Sequence, residues 1–321
     1  MRILNGMATA VSTTPLAQAP ITSAQPGGGT IVRLELAWGR VRRAWLRRCR
    51  PAYVREMLAR RQGECPDCPH DVIDPRDLKF YRNVCGHWFK DEDDRFAWRG
   101  RIGLARLGLC EVVCCSVVFL VICLALLPPA LAGYWLCWLL WAPAGLVYAL
   151  VVYFFRDPER AVPAGADALV SPADGTITDI GEVNEPEFGR ALRIGMFLSI
   201  LNVHVNRAPR SGKVTSLRYF PGGFLDARHP EANTLNEQLW IDLEDAVTGK
   251  PLRVKQISGK IARRIVCWLK PGEEVQAGAR IGMIKFGSRT EVFLPLDVAV
   301  EPAVKVGDTV KGGSSVLLRF K

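Results

Sequence analysis

The sequence predicts a mainly β domain, barrel-like or sandwich-like, preceded by an α-helical transmembrane hairpin. Three observations carry this expectation. Residues 112 to 155 contain no charged side chain. After Arg156 the texture changes to short β-rich runs separated by Gly and Pro. Two stretches within that second half repeat one another in outline.

The uncharged run is about twice the ~20 apolar residues that a helix needs to cross a bilayer. Pro128-Pro129 interrupts it near the middle, where proline removes a backbone donor and restricts its predecessor. Two spanning helices follow, over residues 107–127 and 131–155, joined by a tight turn. Tyr134, Trp135, Trp138 and Trp141 cluster where the second begins, as interface-seeking aromatics do. Arg95, Arg99, Arg101 and Arg106 precede the hairpin, Arg156 and Arg160 follow it, and the turn is uncharged. The positive-inside bias then puts both ends on the cytoplasmic face of the cell membrane. The alternative is a helical hairpin buried in a soluble core.

Upstream, residues 1–30 are rich in Ala, Thr, Pro and Gly. They lack the apolar core of a secretory signal and are expected to be disordered. Residues 31–106 form a basic region containing Cys and His. Its first half carries many arginines with Trp38, Trp45 and Tyr53, which suits either a helix lying on anionic lipid or a solvated basic helix. The formal charge of +10 invites nucleic acid or acidic headgroups. The nearby anchor points to lipid, and no nucleic-acid partner is expected. Of ten cysteines, Cys110, Cys114, Cys115 and Cys123 lie in the apolar run as small hydrophobes, and the soluble parts suit a reducing cytosol. Cys65-x-x-Cys68 with Cys85-x-His87 offers sulfur and nitrogen ligands for a structural zinc; free thiols are the alternative.

Strand candidates after the hairpin are residues 168–170, 175–180, 192–198, 214–219, 239–243 and 254–257, with no long helical pattern among them. The repeat pairs residues 269–281 with 304–316, each a strand, a Gly turn, a short strand, a second Gly turn and another strand. This layout resembles biotinyl and lipoyl carrier domains, whose modified lysine sits on the hairpin between the halves. The corresponding stretch here is residues 283–289, so a carrier lysine at Lys285 is a rival reading. Lys285 lacks acidic or methionine neighbours, standing between Ile284 and Phe286, and Gly287-Ser288 is the more distinctive pair.

Five motifs stand in order behind the hairpin: Phe154-Phe-Arg-Asp-Pro158, Ser171-Pro-Ala-Asp-Gly175, Leu201-Asn-Val-His-Val-Asn-Arg-Ala-Pro209, Asn236-Glu237 and Phe286-Gly-Ser-Arg289. Together they resemble the phosphatidylserine decarboxylase family, in its short form with a membrane hairpin, over residues 112–321. The resemblance implies a self-cleaving zymogen of phospholipid biosynthesis, a lyase that makes phosphatidylethanolamine from a membrane phospholipid. The Ser288 hydroxyl attacks the Gly287 carbonyl, elimination follows, and Ser288 becomes a pyruvoyl group. Chains 1–287 and 288–321 then remain together as a heterodimer. A decarboxylase for another serine-headed lipid, such as archaetidylserine, is the alternative enzyme.

Within this resemblance His204 is the expected acid or base, since imidazole titrates near neutrality. Asp174 is the expected orienting group, with an ordinary turn aspartate as its alternative. Longer relatives carry a second histidine and an aspartate where this chain has Arg207 and Asn202, which unsettles an Asp-His-Ser relay. Arg207 and Asn202 are instead assigned to substrate binding, Arg207 as a bidentate anion partner or as a salt-bridge residue.

Overall fold

The computed structural model describes residues 17–26, 28–165, 167–185, 187–260, 264–285, 287–298 and 300–320. Phe286 and residues 1–16 of the opening segment lie outside them. Residues 17–26, expected to be disordered, are instead laid against the fold. Ala19 donates to the Tyr219 carbonyl at 2.8 Å. Ala24 is fully buried; its N–H meets the Phe80 carbonyl, and its own carbonyl accepts from Cys267 at 3.0 Å.

The N-terminal region begins with helices α1 (Thr30–Cys49) and α2 (Pro51–Arg60). Arginines on α1 are neutralised from below: Arg42 and Arg43 both bond Asp77, and Arg47 bonds Asp71. The other face leaves Leu34, Trp38, Val41 and Trp45 exposed, an i, i+4, i+7, i+11 stripe along one side.

Helices α3 (Leu109–Leu131) and α4 (Leu136–Phe154) form the hairpin. Both are long and apolar enough to cross a membrane, with mean hydropathy 2.8 and 1.8, and their apolar windows are 6% and 0% buried. That exposure argues against a soluble core hairpin. They pair through Phe119 stacked on Tyr148 at 4.8 Å and through Ser116 Oγ with the Tyr148 hydroxyl at 3.1 Å. The turn lies later than the prolines predict. Proline cannot donate, but its carbonyl still accepts, and Pro128 and Pro129 receive the N–H groups of Ala132 and Tyr134. α3 therefore runs through both and ends before Gly133, whose φ of 100° turns the chain.

The rest is antiparallel sheet. The strands are β1 (Ala168–Val170), β2 (Gly175–Glu185), β3 (Gly189–Leu198), β4 (Val205–Arg207) and β5 (Gly212–Phe220). After a short helix come β6 (Gln238–Asp245), β7 (Pro251–Ser258), β8 (Ile265–Cys267), β9 (Glu274–Val275) and β10 (Arg280–Ile284). The last are β11 (Ser288–Pro295), β12 (Val300–Pro302), β13 (Thr309–Val310) and β14 (Val316–Phe320). Eight form one curled sheet in the order β13-β2-β3-β11-β7-β6-β5-β9; β4-β10-β8 and β1-β14-β12 are smaller sheets. Leu169, Ile194, Met196, Ile241, Val254, Ile281, Val292 and Leu317, each essentially inaccessible, fill the core between them. The repeat is visible in the backbone: Gly272, Gly278, Gly307 and Gly313 stand at equivalent turns with φ of 88°, 75°, 96° and 76°.

The membrane hairpin is fastened to the β domain by a buried ion pair. Lys285, just beyond β10, bonds Glu111 in the first turn of α3 and donates to the Leu107 carbonyl at 3.3 Å. Its side chain is 5% exposed and that of Glu111 is 13%. Removing one partner of such a pair strands the other charge, at about 3–5 kcal/mol. Lys285→Met is therefore expected to lower the thermal unfolding midpoint in detergent by several degrees, and adding Glu111→Leu to restore most of it. An unchanged midpoint in the single variant would contradict the pairing.

Candidate active site

β10 belongs to one small sheet and β11 to the middle of the large one, so the chain must switch sheets between Ile284 and Ser288. Gly287 makes that switch at φ 70°, a left-handed conformation that glycine adopts without steric cost. Ser288 then enters the large sheet directly opposite Leu198 of β3 and Ser258 of β7. Ser288 is fully buried, and its hydroxyl has no hydrogen-bond partner among the described residues. A buried hydroxyl without a partner costs about 1–3 kcal/mol, so its retention marks a place where chemistry, not stability, sets the residue.

His204 comes from the turn before β4. Asn202 closes that turn, its Oδ1 accepting from the Ser199 N–H at 2.8 Å and hydroxyl at 2.9 Å. The imidazole lies between two backbone groups: Nδ1 is 2.9 Å from the Asn202 carbonyl and Nε2 is 3.1 Å from the Gly287 nitrogen. A peptide N–H only donates, so Nε2 is the acceptor and Nδ1 carries the proton. The ring is fully buried, packed on Phe154 at 4.4 Å. Burial lowers its pKa to about 4, leaving a neutral base at pH 7 with its lone pair one peptide from the Gly287–Ser288 bond.

The structure thus sets His204 against the backbone of Gly287, one residue before Ser288, and places the other expected residues elsewhere. Asp174 accepts from Arg160 and from the Gly312 N–H, each at 2.8 Å, and braces a loop. The partner of His204 Nδ1 is a carbonyl, so no Asp-His-Ser relay is assembled. Arg207 is 5% exposed; it donates to Asp157 at 3.1 Å and to the Pro158 and Gly278 carbonyls at 3.0 Å. These bonds give Arg207 the salt-bridge role rather than substrate binding, and Asn202 serves the turn. Lys285, buried in its ion pair, has neither the exposure nor the freedom of a carrier lysine.

Sequence reasoning missed Gly259 and Ser258, and marked Asn236 as part of a motif without giving it a role. A Cβ at Gly259 would stand 2.5 Å from the Gly287 carbonyl oxygen, so this glycine leaves room for that carbonyl. Ser258, opposite Ser288, also has a buried hydroxyl without a partner. Asn236 ties this wall together, donating to the Ser258 carbonyl at 2.7 Å and exchanging bonds with both backbone groups of Leu225. Beside it, burial raises Glu237 above the usual carboxylate range. Only Asn236-Glu237 had a local signal; Gly259 depends on a register set 28 residues away, from 259 to 287. Crowding of this kind costs about 1–3 kcal/mol. Gly259→Ala is expected to slow self-cleavage about tenfold, read as uncleaved chain on a denaturing gel over time; wild-type speed would contradict the clearance role.

The loop leading to His204 is tied to the hairpin. Arg156, at the end of α4, donates to the Leu201 carbonyl at 2.7 Å, and Ile200 and Leu201 beside it are 50% and 54% exposed.

Away from this site, Cys65, Cys68 and Cys85 converge, all three sulfurs within 4.8 Å of one another. Cys65 and Cys68 are joined as a disulfide, where separate thiols were expected, and Cys85 Sγ lies 3.0 Å from Cys68 Sγ. His87 is not in that group; its Nδ1 meets the Gly63 carbonyl at 3.0 Å.

Comparison with known proteins agrees with this geometry. The family model described as phosphatidylserine decarboxylase matches residues 147–318. A phosphatidylserine decarboxylase proenzyme of Rhodopirellula baltica is 44% identical over 245 residues, which cover 76% of this chain and 99% of that protein. Proenzymes of the same name from Desulfotalea psychrophila and Nitrosomonas europaea are 47% and 44% identical, over 54% and 61% of this chain and 80% and 88% of theirs. By its matched residues and by the length of relative it spans, the chain belongs to the phosphatidylserine decarboxylase family.

Proposed function

We propose that this chain removes carbon dioxide from the serine headgroup of phosphatidylserine, giving phosphatidylethanolamine, with a pyruvoyl group made from its own Ser288. The observation that carries the reading is the unpaired, buried Ser288 hydroxyl, set after a left-handed glycine and beside a neutral imidazole. Once it gives up the Gly287 N–H, His204 Nε2 takes the hydroxyl proton as Oγ bonds to the Gly287 carbonyl carbon; the C–N bond breaks and the proton passes to the freed amine. Loss of the Ser288 α-proton then breaks Cβ–Oγ and releases residues 1–287 with a new carboxylate. Water converts the remaining dehydroalanine to the keto terminus and ammonia. Once formed, a ketone conjugated to an amide supplies the electron sink that no natural side chain offers.

The ladder explains why the two chains stay together. β11, at the start of the small chain, is paired along both edges, with β3 and β7 of the large one, and β14 pairs with β1. Membrane placement follows the same logic. With the arginine-flanked ends of the hairpin in the cytoplasm, the Ile200–Leu201 loop meets the inner face of the membrane. A headgroup then enters without its tails leaving lipid, which costs about 0.8 kcal/mol per methylene. The test is conversion of phosphatidylserine in vesicles: phosphatidylethanolamine and carbon dioxide are expected. Turnover only of a serine-headed lipid with another backbone would move the assignment.

The cysteine cluster supports a structural zinc. Opening the Cys65–Cys68 bond gives three thiolates around one point, and a solvent ligand would complete the tetrahedron, since His87 stands outside the group. Lys270 donates to the Cys85 carbonyl at 3.1 Å, so the metal would brace the knuckle against the β domain and take no part in the chemistry. Protein purified under reducing conditions is expected to hold about one zinc per chain, lost in Cys85→Ser; metal-free protein would refute it.

A further inference from the structure

A cleft of about 1280 Å³ opens between the N-terminal region, the base of α3 and the outer side of β4 and β10. None of Ser288, His204, Gly287 or Ser258 lines it. Val205 and Met283 do, and strand residues alternate faces, so the cleft lies across β4 from His204. Its apolar wall includes Trp98, Ile102, Leu109 and Val113. Trp98, Ile102 and Val113 are 55%, 45% and 59% exposed, and Leu109 and Val113 begin the membrane helix. The cleft wall thus includes the first residues of a helix whose apolar side chains are largely exposed.

The polar wall is cationic and incompletely neutralised. Lys79, Arg82, Arg106 and Arg280 line it and are each matched by a carboxylate. Arg99 is half-buried with no carboxylate partner among the described residues; its guanidinium rests over Phe96 at 4.7 Å. Burial, and after it the neighbouring Arg76 and Arg106 charges, hold Arg99 below its ordinary pKa. Lys270 likewise meets only a carbonyl among the described residues. A half-buried guanidinium over an aromatic ring is suited to a phosphate oxygen pair, and the adjoining wall is suited to an acyl chain.

We propose that this cleft binds an anionic glycerophospholipid, its phosphodiester on Arg99 and an acyl chain along Trp98, Ile102 and Val113, as a site separate from the catalytic one. Such a lipid would seat the N-terminal region on the inner leaflet beside the hairpin. The probe is dioleoyl phosphatidylglycerol, which the decarboxylation chemistry cannot consume, titrated into the full-length protein in detergent and followed by native mass spectrometry. One bound molecule per chain is expected, with dioleoyl phosphatidylcholine held at least about tenfold more weakly, the size of one charge-assisted contact. Arg99→Glu removes the cation. Gly100→Phe fills the cleft from a position with no atom within 4 Å of a new Cβ. Each is expected to weaken phosphatidylglycerol binding about tenfold while self-cleavage continues, which reports that the β domain has folded. Equal binding of the two lipids, or wild-type affinity in both variants, would overturn the proposal. Displacement of the lipid by inorganic phosphate alone would overturn the acyl-chain half and leave a plain anion site.

Discussion

Ser288→Ala is expected to yield one uncut chain with no detectable release of carbon dioxide from phosphatidylserine. The reasoning starts from what the side chain does not do. Its hydroxyl has no partner among the described residues, so alanine removes an unsatisfied polar atom and leaves the ladder from Ser288 to Leu198 and Ser258 in place. Replacing such a group is neutral or mildly stabilising. The variant therefore separates chemistry from folding: a cooperative thermal transition at or above the wild-type midpoint, together with complete loss of cleavage and activity. Retained decarboxylation in an uncut chain would mean the electron sink lies elsewhere.

Replacement of His204 carries the second large effect. General acid–base groups contribute about 10²–10⁴-fold, and His204→Ala is expected to slow self-cleavage within that range. The pH profile gives a sharper readout. With a pKa lowered to about 4 by burial, about nine-tenths of the imidazole is still neutral at pH 5, whereas an unperturbed histidine near 6.5 would be almost wholly charged. Cleavage is therefore expected to hold its rate from pH 7 down to pH 5, and a fall centred near 6.5 would contradict the buried, neutral base. Stability runs with the same sign. The unfolded chain takes up a proton on this residue below about 6.5 that the folded chain refuses until about 4. The histidine's contribution is thus complete above the unfolded pKa and declines as pH falls between the two.

Local pattern made the hairpin and the strands legible and singled out Gly287-Ser288, where the chain switches sheets. An uncharged run and Gly-punctuated β segments are properties of neighbours in sequence, and the motif at residues 201–209 placed His204. Non-local contacts were not legible. Arg207 looked available for an anion until Asp157, 50 residues earlier, was seen to occupy it. Lys285 looked like a carrier lysine until Glu111 took its charge. Gly259 has no motif of its own, because its role exists only once β7 and β11 are in register. The turn at Gly133 was misplaced for a related reason. Proline's missing donor drew the break to residues 128–129, but their carbonyls accept from Ala132 and Tyr134, four and five residues on, so the helix continues through them.

Intact-mass measurement of the purified wild-type protein under denaturing conditions bears most directly on the central claim. Two species are predicted: a large chain ending at Gly287, and a small one beginning at residue 288. The small chain should be lighter by one ammonia than a serine-initiated peptide and should react with carbonyl reagents. A single mass for the whole unbroken polypeptide, inert to those reagents in protein that still decarboxylates phosphatidylserine, would contradict the account.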